Sequence, residues 1–536
     1  MKKYLIFSIL LVLPLLLINT GSLLTESKGP YWLAPNQDPE YAYLFNALNV
    51  ATLTKIGHTD HPGTPVQVIG GIALRLLNIN ASSSTLAEEV IRDPEYYLSI
   101  LNKIFSFINF NVLLITGVAM YFLTKDIALS LLMQLSPFFY ETILDYGLTR
   151  VSPEPLLLSV TLLFALFLIM FSFSDIQSTT KAEGIGIKIT HKGFVTIFAL
   201  LAGFGVATKL TFLPLLVIPL VLLTSIKSRV QYLFGTLFSF VLFTLPIISQ
   251  YDYFFIWLYN VFSHTGFYGS GMNTIIDSTL YLTSVKELLE QNIVYSMIVL
   301  SSFIVLAIKP SIYGHKTIFD DKKWRLLLGL ALSHVTSILM VAKHPGQHYL
   351  LPSLTLAGFT MVLCILNLRP VLDYYRLPVK SSVIIISLMI LSVLTVQGQN
   401  IHNLYRNNTA TKNELFKIYV KDETDYPDYA RIYYYRSSSP YYALEFGDLY
   451  SYRKYAHVLS KYYNNNVFFY DIWRRQYNSW TETIKLQDLV TKYGRKIIFH
   501  GTSFRNEYSQ FAPELPLKAD FSINNEIIYI ADKGLR

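Results

Sequence analysis

The sequence predicts a mainly α-helical, polytopic membrane bundle of about eleven spans, with interfacial helices in its first external loop and a C-terminal extracytoplasmic α/β domain. Three observations lead there. Of the 536 residues, 52% are hydrophobic and only 15% charged, well below the ~25% charge of ordinary soluble domains. Apolar runs long enough to cross hydrocarbon recur along the first three quarters of the chain. The basic residues that produce a formal charge of +8 are not scattered but alternate between successive loops. Disordered and disulfide-stapled secreted classes are excluded, since the single cysteine, Cys364, sits unpartnered in an apolar run.

The spans read, in order, as Tyr4–Leu24, Leu101–Leu123, Ile127–Tyr146, Pro155–Phe173, Phe194–Ala207, Leu210–Thr224, Tyr232–Gln250, Ile293–Ile308, Leu326–Val341, Leu350–Leu368 and Ser381–Val396. The first is read as a span rather than a cleaved signal, because no A-x-A-like site follows Leu17 and the apolar stretch is long for an h-region. With the N-terminus cytoplasmic, the inner loops collect Lys125, Lys181, Lys188, Lys192, Lys227, Arg229, Lys309, Lys316, Lys322, Lys323, Arg325, Arg369, Arg376 and Lys380. The outer turns keep little beyond Arg150, Lys209 and Lys343, which is the positive-inside arrangement of a multi-pass plasma-membrane protein. The basic excess is therefore topological and nucleic acid is not an expected partner. Residues 1–397 form the membrane module and 398–536 the external domain on this reading.

Three regions lie outside the spans. In the first external loop, Glu40–Ile56 and Pro65–Leu77 have one apolar face at helical spacing. Residues 251–292 form a second external segment, with the run Ser263-His264-Thr265-Gly266-Phe267-Tyr268-Gly269-Ser270-Gly271. In the external domain, strand-like Arg431–Tyr435, Val467–Ile472, Lys496–His500 and Glu526–Ala531 alternate with helix-like Leu449–Tyr463 and Glu482–Lys492.

Ionisable groups at membrane depth are costly, so their placement is informative, and here they gather on the outer side. Asp38 and Glu40 flank Pro39 just after the first span; they suit a helix N-terminus, and equally a general base for an acceptor hydroxyl or amine. His58, Asp60 and His61 crowd a proline-bounded turn that supplies too few converging ligands for a metal, and fit a loop that positions the first carboxylate or touches substrate. Arg150 and Glu154 lie four apart and can pair, yet an arginine fork also suits phosphate oxygens. Lys209 interrupts an apolar run of about thirty residues, where the chain is expected to turn. Lys343, His348 and Tyr349 close the ninth span. External cations facing a carboxylate meet the demand of group transfer from a lipid phosphate, whose leaving charge must be stabilised. No cofactor is implied, and a divalent metal is not favoured.

These motifs, in their order and common sidedness, resemble those of the C-type (GT-C) membrane glycosyltransferases, in the branch of protein O-mannosyltransferases and bacterial lipid A aminoarabinose transferases. The carrying features are Asp38-Pro39-Glu40, His61-Pro62, Arg150 with Pro153-Glu154, Gly203 to Lys209, and Lys343 with His348-Tyr349-Leu350-Leu351-Pro352, all within the membrane module. The resemblance implies transfer of a sugar from a polyprenyl phosphate to a glycan, lipid or protein acceptor on the non-cytoplasmic face, usually with inversion. It makes Asp38 the base and Arg150, Lys209, Lys343 and His348 the holders of the carrier phosphate; His61, Asp60, Glu154 and Tyr349 fall in the same substrate-binding set. Relatives often have adjacent Asp-Glu where Pro39 intervenes here, which leaves Glu40 as the alternative base, and often arginine where His348 stands. Two other classes meet the same composition: a polymerase or ligase using diphosphate-linked glycans, and a transporter, which should instead place its ionisable groups near the bilayer midplane.

Overall fold

The computed structural model describes residues 2–174, 189–313, 319–375, 380–463, 466–472, 474–502 and 515–531. Lys181, Lys188, Lys316 and Arg376 lie outside them. The chain divides into two compact units. The first comprises Met1–Ser22, Thr59–Pro65 and Ile104–Ile401; the second comprises Leu23–His58, Val66–Lys103 and His402–Arg536.

The first unit is a bundle of apolar helices. Among the described residues seven helices in the chain are long and apolar enough to cross a membrane, or eight if one bent pair counts as a span. Two of the eleven expected apolar runs are interrupted by proline. Ile127–Tyr146 breaks into helices Ile127–Gln134 and Glu141–Thr149 around the 3₁₀ turn Ser136–Phe138, which contains Pro137. Leu210–Thr224 becomes a 3₁₀ segment, Leu210–Leu216, and the short helix Val217–Leu222; at helical rise these reach only about 23 Å, less than the hydrocarbon thickness. Helix Ile226–Phe243 bends by 77° into Leu245–Ser263, where Pro246 follows the break. Residues 381–396 fall inside one 46-residue helix, Lys380–Asp425.

Close crossings need small residues. Helices His191–Thr208 and Ile226–Phe243 approach so tightly that a Cβ on Gly203 would meet the Ser239 side chain and the Phe240 backbone within 3 Å. The remaining outward surface of these helices is apolar: Leu233, Phe234, Leu237 and Phe238 on one, and Leu300 and Ile304 on helix Ile293–Tyr313, are exposed. Such a continuous apolar surface requires lipid rather than water against it. The chain is a multi-pass helical membrane protein.

The second unit is built on a seven-stranded sheet of order β4-β3-β2-β1-β5-β7-β6. Its strands are β1 (Ala430–Tyr434), β2 (Val467–Asp471), β3 (Gln476–Asn478), β4 (Thr483–Ile484), β5 (Ile497–Thr502), β6 (Leu517–Ile523) and β7 (Glu526–Ala531). β1 runs parallel to both β2 and β5, and the remaining pairings are antiparallel. β1 is buried at all five positions, Arg431 among them, whose guanidinium pairs with Glu423 at 2.7 Å. Ile432, Tyr434, Phe468, Ile497 and Phe499 pack on one face and Ile418, Tyr426, Ile498 and Ile528 on the other. Helix Gln37–Ala51 belongs to this unit, is buried from Glu40 to Asn49, and packs against helix Pro440–Leu449.

Candidate functional site

In the first unit the cations expected from the sequence meet a set of aromatic rings. Lys209 ends helix His191–Thr208 in an extended conformation, and an isolated β-bridge joins it to Pro62 while the Leu210 N–H donates to the His61 carbonyl at 3.2 Å. That bridge brings the His61 turn, left-handed at His61 and Gly63, beside Lys209. The His61 ring lies 5.2 Å from Trp257, 6.1 Å from Tyr268 and 6.3 Å from Tyr349. The Lys209 ammonium sits 4.9 Å over the Tyr349 ring, and the Tyr349 and Tyr268 hydroxyls are 3.0 Å apart. His348 stacks on Tyr146 at 4.9 Å, and the Arg150 guanidinium lies over that same ring at 4.9 Å.

Glu154 does not take Arg150 as its partner. The four-residue spacing favours a pair only within a helix, whereas Arg150 and Ser152 are both extended and the helix starts at Pro153. The Glu154 carboxylate instead accepts from the Lys209 ammonium and, at 2.6 Å, from the Ser152 hydroxyl. The Lys209 and Glu154 side chains are only 4% and 6% exposed. The Lys343 ammonium donates to the Phe262 carbonyl, and partial burial lowers its pKa. Its neighbour His344 faces the Val261 carbonyl at 3.3 Å. Asp60 is half-buried in the turn beside His61.

In the second unit the acidic motif separates its two carboxylates. The Asp38–Pro39 peptide bond is cis, and helix Gln37–Ala51 takes regular dihedrals only after Asp38. Glu40, in the first turn, is buried at 2% exposure. Asp38 is 43% exposed and its Oδ2 accepts from Arg436 Nη2 at 3.2 Å. The preceding loop is pinned by Glu95, whose carboxylate accepts the Tyr31 and Trp32 N–H groups and the Tyr41 hydroxyl at 2.8 to 3.1 Å. His58 packs edge-on against Tyr43 and Tyr450, and its carbonyl accepts from Gln67.

Sequence reasoning assigned no role to Tyr146, Trp257, Tyr268 or Arg436. Tyr268 lay within the glycine-rich run of the second external segment, where an aromatic between turn residues is a signal; Arg436 opened an Arg-Ser-Ser-Ser-Pro turn.

No protein-family model and no curated protein matches the chain. Among solved structures it is similar to the crystal structure of ArnT from Cupriavidus metallidurans bound to undecaprenyl phosphate, at 9% identity and a TM-score of 0.44, over 98% of this chain and 97% of that one. A likeness of that degree does not define a family.

Proposed function

We propose that this chain is an integral-membrane glycosyltransferase that moves a sugar from a polyprenyl-phosphate carrier to an acceptor on the non-cytoplasmic face. The observation that carries this reading is the cluster of Arg150, Lys209, His61 and His348 among Tyr146, Trp257, Tyr268 and Tyr349, gathered at helix ends of an apolar bundle. Fixed cations stabilise phosphate charge as it develops, and aromatic faces suit the C–H surface of a sugar ring. Glu154 balances Lys209, and the planar fork of Arg150 matches two phosphate oxygens. Lys209 retains two N–H bonds beyond the one given to Glu154. Lys343 and His348 flank the same stretch of chain. Asp38, the exposed member of the acidic pair, takes the proton of the acceptor hydroxyl or amine. The acceptor heteroatom then bonds to the anomeric carbon as the bond to the phosphate oxygen breaks, inverting that carbon and releasing the carrier phosphate. The distribution of lysine and arginine supports a cytoplasmic N-terminus and an external second unit.

The test is reconstitution of the full chain in vesicles, offering labelled sugars on monophosphate and on diphosphate polyprenyl carriers. Transfer from the monophosphate donor, lost in Asp38→Asn with carrier binding intact, is expected. Transfer from the diphosphate donor alone, or solute flux without any transfer, overturns the reading.

A further inference from the structure

In an open α/β sheet, ligands bind beyond the carboxyl ends of parallel strands where the strand order reverses. Here that point is the carboxyl end of β1, whose parallel neighbours β2 and β5 lie on opposite sides. The loop leaving β1 is Tyr435-Arg436-Ser437-Ser438-Ser439, and three residues of the acidic motif's own segment dock on it. The Ala34 N–H donates to the Ser438 hydroxyl at 3.1 Å, the Gln37 side-chain amide donates to the Ser437 carbonyl, and Arg436 donates to Asp38 at 3.2 Å.

The loop is rigidly built. Ser437, Ser438 and Ser439 are fully buried. Glu526 at the start of β7 accepts the Ser438 N–H at 2.9 Å and its hydroxyl at 2.5 Å. The same carboxylate meets His500 Nε2 at 2.9 Å, and His500 Nδ1 faces Asp422 at 2.8 Å. The Ser437 hydroxyl is 2.7 Å from the His500 carbonyl. Ser439 caps the following helix through the Tyr441 N–H. Arg436 sits at φ 53°, a left-handed conformation held by these surroundings rather than by its own preference.

We propose that the α/β sheet of the second unit is a positioning device for the acidic motif, with Arg436 the residue that orients Asp38 and Ser437 and Ser438 the clamp beneath it. The inference rests on Asp38 being the general base. An exposed ion pair contributes little to stability, so its value lies in geometry. The Arg436 fork fixes Oδ2 of Asp38 at 3.2 Å and with it the plane of the carboxylate. Misplacing a catalytic group by about 1 Å can cost roughly a hundredfold in rate.

The full chain in vesicles decides the matter, with kcat, donor KM, thermal stability and binding of undecaprenyl phosphate compared across Asp38→Asn, Arg436→Gln and Arg436→Lys. Arg436→Gln is expected to lower kcat by roughly ten- to a hundredfold while KM, carrier binding and melting temperature stay near wild type, and Arg436→Lys to recover much of the loss. Wild-type kcat in Arg436→Gln, with Asp38→Asn inactive, overturns the positioning role and leaves the base intact. An equal fall in kcat and stability in both Arg436 variants makes the residue structural and overturns it too. An active Asp38→Asn removes the base itself, and this inference with it.

Discussion

Two ion pairs, one in each unit, show how burial decides what a pair is for. Lys209 and Glu154 are almost wholly buried, while Asp38 and Arg436 are each nearly half exposed. A buried pair must repay the loss of water around both charges, and removing one partner strands the other. An exposed pair costs little to make and little to break. The first is therefore bound to the integrity of the bundle, and the second adds little to the stability of its unit.

The sharpest way to break that contrast is Glu154→Ala, which leaves the Lys209 ammonium buried without its carboxylate. A loss of about 3–5 kcal/mol is expected, read as a collapse of folded yield and of melting temperature in detergent. Adding Lys209→Met to that variant should restore much of the stability, since an apolar replacement of both partners removes the stranded charge. If Glu154→Ala alone melts like the wild type, the pair is not a structural element.

The second unit holds its own buried charge, and here pH is the probe. His500 lies fully buried between Asp422 and Glu526, and hydrogen bonds and charge from those two carboxylates outweigh burial to push its pKa up to about 9. A folded-state value above the unfolded one near 6.5 means a contribution fully present below pH 6.5 and lost as pH rises through 9. The integrated effect is about 3 kcal/mol. Proteolytic susceptibility of residues 402–531 in the full chain should rise from pH 6.5 to 9, and His500→Gln should be less stable at pH 6.5 with that pH response flattened. A unit equally resistant at both pH values would show that His500 is not charged in the fold.

What the sequence disclosed follows the same division between local and distant causes. Apolar runs, the turn at Lys209 and four of the strands are written in periodicity and punctuation, so they are legible without a fold. The breaks at Pro137 and Pro214 were legible too, but hydropathy over a window outweighed them, so each of those runs read as one continuous helix. Hairpin β6–β7 was half missed. Asn524 and Asn525 both take positive φ, the signature of a tight hairpin turn, yet the polar alternation of Lys518, Asp520 and Ser522 hides its first strand. Spacing offered Glu154 to Arg150 because it assumed a helix that begins only at Pro153. The contact of Arg436 with Asp38 spans 398 positions and has no local signal at all, because only the strand order of the sheet brings the two together.

The smallest effect is the one that completes the comparison. A double-mutant cycle in stability over Asp38→Asn and Arg436→Gln should return a coupling of about 0–1 kcal/mol, as measured by denaturant unfolding of the second unit within the full chain. The same cycle over Glu154 and Lys209 should return several times that value, because each single variant there leaves a buried charge behind. Equal couplings would mean that exposure does not separate the two pairs. A small coupling at Asp38 agrees with its proposed role as base, since a carboxylate locked by several kcal/mol to Arg436 could not turn to receive a proton from an acceptor.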